Sequence, residues 1–148
     1  MNKQGYLNAT KAFLSKKILV IEEALNDTQA SSNTDTKSSA GDKHETSRAM
    51  AHLENERLAG QLLVLQQQVE VLNKINPTIT SKIVNFGSVV KTESQVFFIS
   101  TGIGKIIHPE TTFYAIASNS PVGINLKGKR TDDEVKFGNK IEKIISMC

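Results

Sequence analysis

Asp42 and Glu45 are two carboxylates three residues apart, with Lys43 and His44 between them. Acids at this spacing can draw a cation. They can equally serve a helix start, with Asp42 as N-cap and Glu45 answering three residues later in a variant of the capping box. Other candidates lack part of the chemistry they would need. His44 and His52 are eight apart, and no third nitrogen or sulfur ligand is near enough to complete a zinc site. The run Gly123-Ile124-Asn125-Leu126-Lys127-Gly128-Lys129-Arg130 nearly matches a phosphate-binding loop. It ends in Arg where a Mg²⁺-binding Ser or Thr is required, and no hydrophobic strand leads into Gly123. Its bases, Lys127, Lys129 and Arg130, are expected to form a basic docking patch or a solvated turn. Cys148 is the single cysteine, so there is no disulfide framework, and it has no His and Asn or Asp set for nucleophilic work.

The acids are positioned by a mirror in the apolar residues. Leu14, Ile18, Ile21 and Leu25 step by four, three and four, and so do Leu58, Leu62, Leu65 and Val69. Each run is the a/d seam of a coiled coil. Folding the second back on the first pairs Leu25 with Leu58, Ile21 with Leu62, Ile18 with Leu65 and Leu14 with Val69, and the two numbers in every pair add to 83. An antiparallel helical hairpin follows, bent between Gly41 and Asp42, with residues 41–45 at its tip. The first helix is expected over Tyr6–Ala30 and the second from near Asp42 or Thr46 to Lys74, stopped by Pro77. Residues 26–40 are rich in Ser, Thr, Asn and Asp, which compete with helical hydrogen bonds, so fraying is expected there. At about 1.5 Å per helical residue, such an arm reaches about 50 Å.

From Thr78 onward the pattern changes. Lys82–Val90, Gln95–Ser100, Thr112–Ala117, Asp133–Phe137 and Lys140–Ser146 are rich in Val, Ile and Phe and are bounded by turn residues, as expected of a small, mostly antiparallel sheet. Thr101–Lys105 reads as a turn. Pro121–Leu126 reads as a short helix with Ser120 as N-cap and Pro121 at the first helical position. The fold class is therefore α+β, with a hairpin over residues 1–76 and a sheet domain over 77–148.

Composition narrows the function. The net charge of +3 is unevenly spread: residues 27–56 carry six acids and three bases, and residues 77–148 carry nine bases and six acids. An acidic arm end on a basic body suits placement in an electric field, the tip toward a cation and the body toward acidic surface or phosphate. No apolar run approaches the roughly 18 residues of a membrane span, and no signal peptide opens the chain. A soluble, cytoplasmic protein without a membrane partner is expected.

The strings Gly41-Asp42-Lys43-His44-Glu45, Phe86-Gly87-Ser88-Val89-Val90, Ser120-Pro121-Val122-Gly123, Leu126-Lys127-Gly128-Lys129 and Asp133-Glu134-Val135 occur in an order that resembles the bacterial Gre-type transcript cleavage factors. The resemblance runs over about residues 6–146. It implies a transcription elongation factor that binds RNA polymerase on its DNA and inserts the hairpin through the secondary channel. Asp42 and Glu45 match the two tip acids that help hold a second Mg²⁺, present only within the polymerase complex, where the polymerase hydrolyses the backtracked RNA 3′ end. The C-terminal sheet would be FKBP-like and dock at the channel rim. Such a protein is not an enzyme by itself and takes no small-molecule substrate. The sequence departs from the pattern at Thr46 and Ala49, which stand where the family usually has Asn and an aromatic. It departs again at Asp132, where a glycine is expected, and at Gly138-Asn139, where a Pro-x-Gly turn is usual. Three other readings remain: a secondary-channel regulator that does not cleave, a prolyl isomerase built on the sheet, and a coiled-coil adaptor.

Overall fold

The computed structural model describes the backbone of residues 1–35 and 41–148, and side chains outside 29–44. Helix α1 spans Lys3–Asp35 and helix α2 spans Gly41–Asn73. Burial follows the mirrored seam. Leu14 and Leu58 are buried, Ile18, Ile21, Leu25, Leu62, Leu65 and Val69 are half-buried, and the residues between them are exposed apart from the half-buried Ala24 and Gln68. The same spacing continues at both ends of the apolar seam, to Leu72 at one and to Thr28 and Asn55 at the other.

Two expectations change here. The first helix continues to Asp35, beyond the expected end at Ala30, and residues 36–40 of the stretch expected to fray lie outside the described residues. Thr28 shows how a short polar residue is accommodated, because its Oγ1 donates to the Ala24 carbonyl at 2.8 Å, turning the competing group back onto its own helix. The second concerns the bend expected between Gly41 and Asp42. Helix α2 already begins at Gly41, so Gly41–Glu45 is helical, and residues 36–40 lie outside the described residues. An acidic first turn suits the positive end of a helix dipole, which favours starting α2 at Gly41.

At its far end α2 tightens, with Lys74 and Ile75 donating three residues back to Val71 and Leu72. Six strands follow: β1 (Val89–Thr92), β2 (Val96–Ser100), β3 (Gly104–Ile106), β4 (Phe113–Ala117), β5 (Glu134–Phe137) and β6 (Lys140–Met147). The short helix α3 (Pro121–Leu126) lies between β4 and β5. They form one sheet in the order β3-β4-β2-β1-β6-β5. Four pairings are antiparallel, as expected, but β2 and β4 run parallel, Phe97 level with Tyr114 and Ile99 with Ile116. The parallel pair follows from β3, which the sequence reading took for a turn. β3 holds the edge, and β4 returns between it and β2.

Most of Lys82–Val90 is not strand. Asn85–Ser88 turns instead, with the Ser88 hydroxyl donating to Asn85 Oδ1 at 3.1 Å and Gly87 at φ 90°. Alternation along the strands sends side chains to opposite faces. One face packs Val90, Phe97, Ile99, Val135 and Ile144 with Val84 and Leu126. There the Phe97 ring lies 5.4 Å from Phe137 and 6.0 Å from Tyr114. The other face presents Phe98 and Phe113, and the Tyr6 ring meets Phe113 edge-on at 5.0 Å.

The chain folds as two compact units. One joins Met1–Phe13 to Val69–Cys148, and the other is Leu14–Gln68. The start of α1 thus supplies the sheet's second layer, and Lys3 Nζ donates to the Ile79 carbonyl at 2.6 Å within the same unit. No described helix is long and apolar enough to cross a membrane.

Candidate functional site

Asp42 and Glu45 occupy the first turn of α2, three residues apart and therefore on one face of the helix. Glu45 is exposed. The side chains of Asp42, Lys43 and His44 lie outside the described residues. Because α2 begins at Gly41, Asp42 is the second residue of the helix. No group of three or more His, Cys, Asp or Glu that could hold a metal occurs among the described residues. Two carboxylates one turn apart fit a hard cation only as a shared ligand set. Mg²⁺ suits that arrangement, since it keeps several waters and takes one or two carboxylates, with the remaining ligands supplied by a second molecule.

The second candidate group is the basic trio after α3. Ser120 caps this helix, its Oγ accepting from the Gly123 amide at 3.1 Å, and Pro121 takes the first turn, as the sequence implied. Gly123 has no room for a side chain, because a Cβ there would lie 2.3 Å from the Ala117 carbonyl oxygen. The loop that follows is tied down on its backbone. The Gly128 amide donates to Val84 O at 2.9 Å, and the Val84 amide donates to Lys129 O at 2.8 Å. Beyond it the Arg130 amide donates to Asp133 Oδ2 at 2.8 Å. Lys127 and Arg130 are exposed and Lys129 is half-buried. Three cationic side chains therefore share one fixed loop. Next to it Asp132 has φ 72°, a left-handed conformation at the position where the resemblance implies a glycine.

Sequence reasoning missed Glu142. This carboxylate is 3% exposed, receives a hydrogen bond from Thr92 Oγ1 at 2.7 Å and another from the Ser94 hydroxyl, and lies 3.0 Å from Lys140 Nζ. The Ser94 and Thr92 hydrogen bonds, in that order, outweigh burial and lower its pKa from 4.5 to about 2. The signal was present in the chain, since Glu142 is in phase with the inward-facing Ile144. An acid at an inward position requires dedicated donors. The cluster ties the turn between β1 and β2 to β6, a structural role.

Of the aromatic residues, Phe97, Phe98 and Phe113 are buried in the two faces of the sheet. Phe113 and Tyr6 border a cleft of about 320 Å³ with Lys91, His108, Glu110 and Thr111. Burial pushes the Tyr6 phenol up, and a hydrogen bond with Thr111 opposes the shift.

No family pattern matches the chain, and no curated protein matches it. Among solved structures it is similar to the GreA factor homolog 1 (Gfh1) protein of Thermus thermophilus, at 17% identity over 93% of each chain with a TM-score of 0.36. It is likewise similar to a second structure, of the transcription factor Gfh1, at 17% identity over 92% of this chain and 91% of that one, again with a TM-score of 0.36. Both are partial overlaps at low identity, and they carry no functional argument.

Proposed function

We propose that this protein is an RNA polymerase-binding elongation factor whose helical hairpin enters the secondary channel and stimulates the polymerase's own cleavage of backtracked RNA. The observation that carries the reading is the position of Asp42 and Glu45, together in the first turn of α2, directly after the residues that join the two helices. Support comes also from burial at the seam positions, which keeps the expected spacing along each helix, and from the ordered strings shared with the Gre-type factors.

The two carboxylates would complete the ligand set of a Mg²⁺ held mostly by the polymerase. A second metal in such a site stabilises the attacking and leaving oxygens of phosphodiester hydrolysis. The protein's own contribution is placement: a helix start puts two acids three residues apart. Lys127, Lys129 and Arg130 would meet an acidic surface at the channel rim. The RNA 3′ end is contacted only within the elongation complex, so the chain has no activity alone.

The deciding experiment adds the protein to a stalled, backtracked elongation complex with Mg²⁺ and follows the labelled RNA 3′ end. Release of short fragments is expected with the wild type. Asp42→Asn and Glu45→Gln are expected to lower cleavage by roughly 10- to 100-fold, the scale of a disturbed metal site, while binding persists. Equal cleavage by the wild type and the double variant would refute this role. Thr46 and Ala49, both exposed on the next turn of α2, favour a second reading in which the hairpin occupies the channel without cleavage. Binding with slowed elongation and no fragments would select it.

A further inference from the structure

The a/d seam does not account for all the apolar surface of the hairpin. Val20 and Val64 each precede a seam residue, Ile21 and Leu65, and the two valines are 63% and 54% exposed. Under the register of the seam they stand at almost the same level on the two antiparallel helices. These four residues open a groove of about 580 Å³, and its remaining lining is Lys16, Lys17 and Gln61.

The phase of the groove indicates the shape of its occupant. Apolar residues flanking the a/d positions widen the stripe beyond what a two-stranded seam requires. A widened stripe on both helices is the surface onto which a third helix packs. The lined stretch covers residues 16–21 and 61–65, about 8 Å of helix at 1.5 Å per residue. That length takes one or two apolar anchors from a helix laid in the groove. Charge selects among helices, because the lining holds two lysines and no carboxylate. A second copy presenting the same groove would bring lysines against lysines, whereas a helix with acids beside its apolar anchors would bring opposite charges together.

Resting on the secondary-channel reading, we infer that this groove seats an amphipathic helix of the RNA polymerase. Its apolar side chains lie between Val20 and Val64, and its acidic residues lie beside Lys16. The contact is separate from the acids of the first turn of α2 and from the basic loop after α3, and it would hold the hairpin at residues 16–21 and 61–65.

The test uses the full chain, labelled at Cys148, binding to purified elongation complexes and read by fluorescence anisotropy. Circular dichroism checks that helix content is unchanged. The double variant Val20→Ser/Val64→Ser is expected to bind at least tenfold more weakly, the scale of losing a buried apolar anchor. Lys16→Glu is expected to weaken binding in a salt-dependent way. Wild-type binding with both variants unchanged overturns the groove assignment and leaves the secondary-channel reading intact. Absence of any wild-type binding overturns both. Sedimentation showing a wild-type dimer that the double variant abolishes gives the groove to a second copy and overturns the inference.

Discussion

Replacing Glu142 by Gln tests whether a buried carboxylate holds the β1–β2 turn onto β6. The substitution keeps the shape and removes the charge that Ser94, Thr92 and Lys140 serve. In the folded protein the carboxyl sits at about 2, against an ordinary 4.5. That gap corresponds to about 3 kcal/mol at 1.36 kcal/mol per unit. The sign is fixed by the direction of the shift. A depressed carboxyl stabilises the fold fully above its unfolded value, and the contribution drains away as pH falls from about 4.5 to about 2. The Gln variant should therefore be less stable than the wild type by about 2–3 kcal/mol at pH 7, and the two should converge near pH 2. For a unit of this size that is a drop in Tm of roughly 10–20 °C at neutral pH. Urea denaturation followed by tyrosine fluorescence suits the measurement. The chain has no Trp, and Tyr6 and Tyr114 both belong to the unit that contains the sheet. Equal stability at pH 7, or two curves that stay parallel down to pH 2, would refute the reasoning.

Other substitutions probe separate features. Gly123→Ala must push the Ala117–Ser118 backbone away from α3 and should cost about 2–4 kcal/mol, whereas Ser120→Ala loses only the cap and should cost about 1 kcal/mol; thermal melts of the two variants give the comparison. Asp132→Gly relieves a left-handed residue and should raise stability by about 0.5–1 kcal/mol, measured in urea. Asn55 has a buried Oδ1 without a hydrogen-bond partner, level with Thr28 in the seam, so Asn55→Leu should stabilise the hairpin by about 1–2 kcal/mol. The helical signal at 222 nm on heating would check this, and a lower transition would refute it.

Long periodic features were legible in the chain. The seam needs only the spacing of eight aliphatic residues, and α3 announces itself through Ser120 and Pro121, which act locally. β2, β4, β5 and β6 follow from short Val, Ile and Phe runs between turn residues. β3 escaped notice because three residues with a Gly and a Lys carry no alternation, and its place is set by pairing with β4. Residues 82–88 misled in the opposite sense. Ile83, Val84 and Phe86 look like a strand, but Gly87 at positive φ and the Asn85–Ser88 hydrogen bond make a turn. Of the candidate site, Asp42 and Glu45 drew notice because they stand at the centre of the mirrored seam and match the tip acids of the resembled family. Glu142 showed only as an acid in phase with Ile144, and its donors Thr92 and Ser94, 50 and 48 residues away along the chain, left no local sign.

The unit that contains the sheet is assembled from two separated stretches, Met1–Phe13 and Val69–Cys148. Tyr6 is made early, yet the strand that carries its partner Phe113 is made about a hundred residues later. At the roughly 5–20 residues per second of protein synthesis, this side chain waits about 5–20 s for its partner to leave the ribosome. The stretch Leu14–Gln68 is contiguous and can pair before any strand exists. The order of emergence therefore favours a hairpin that zips first, bringing the end of α2 back beside the start of α1 as a platform on which the nascent sheet condenses.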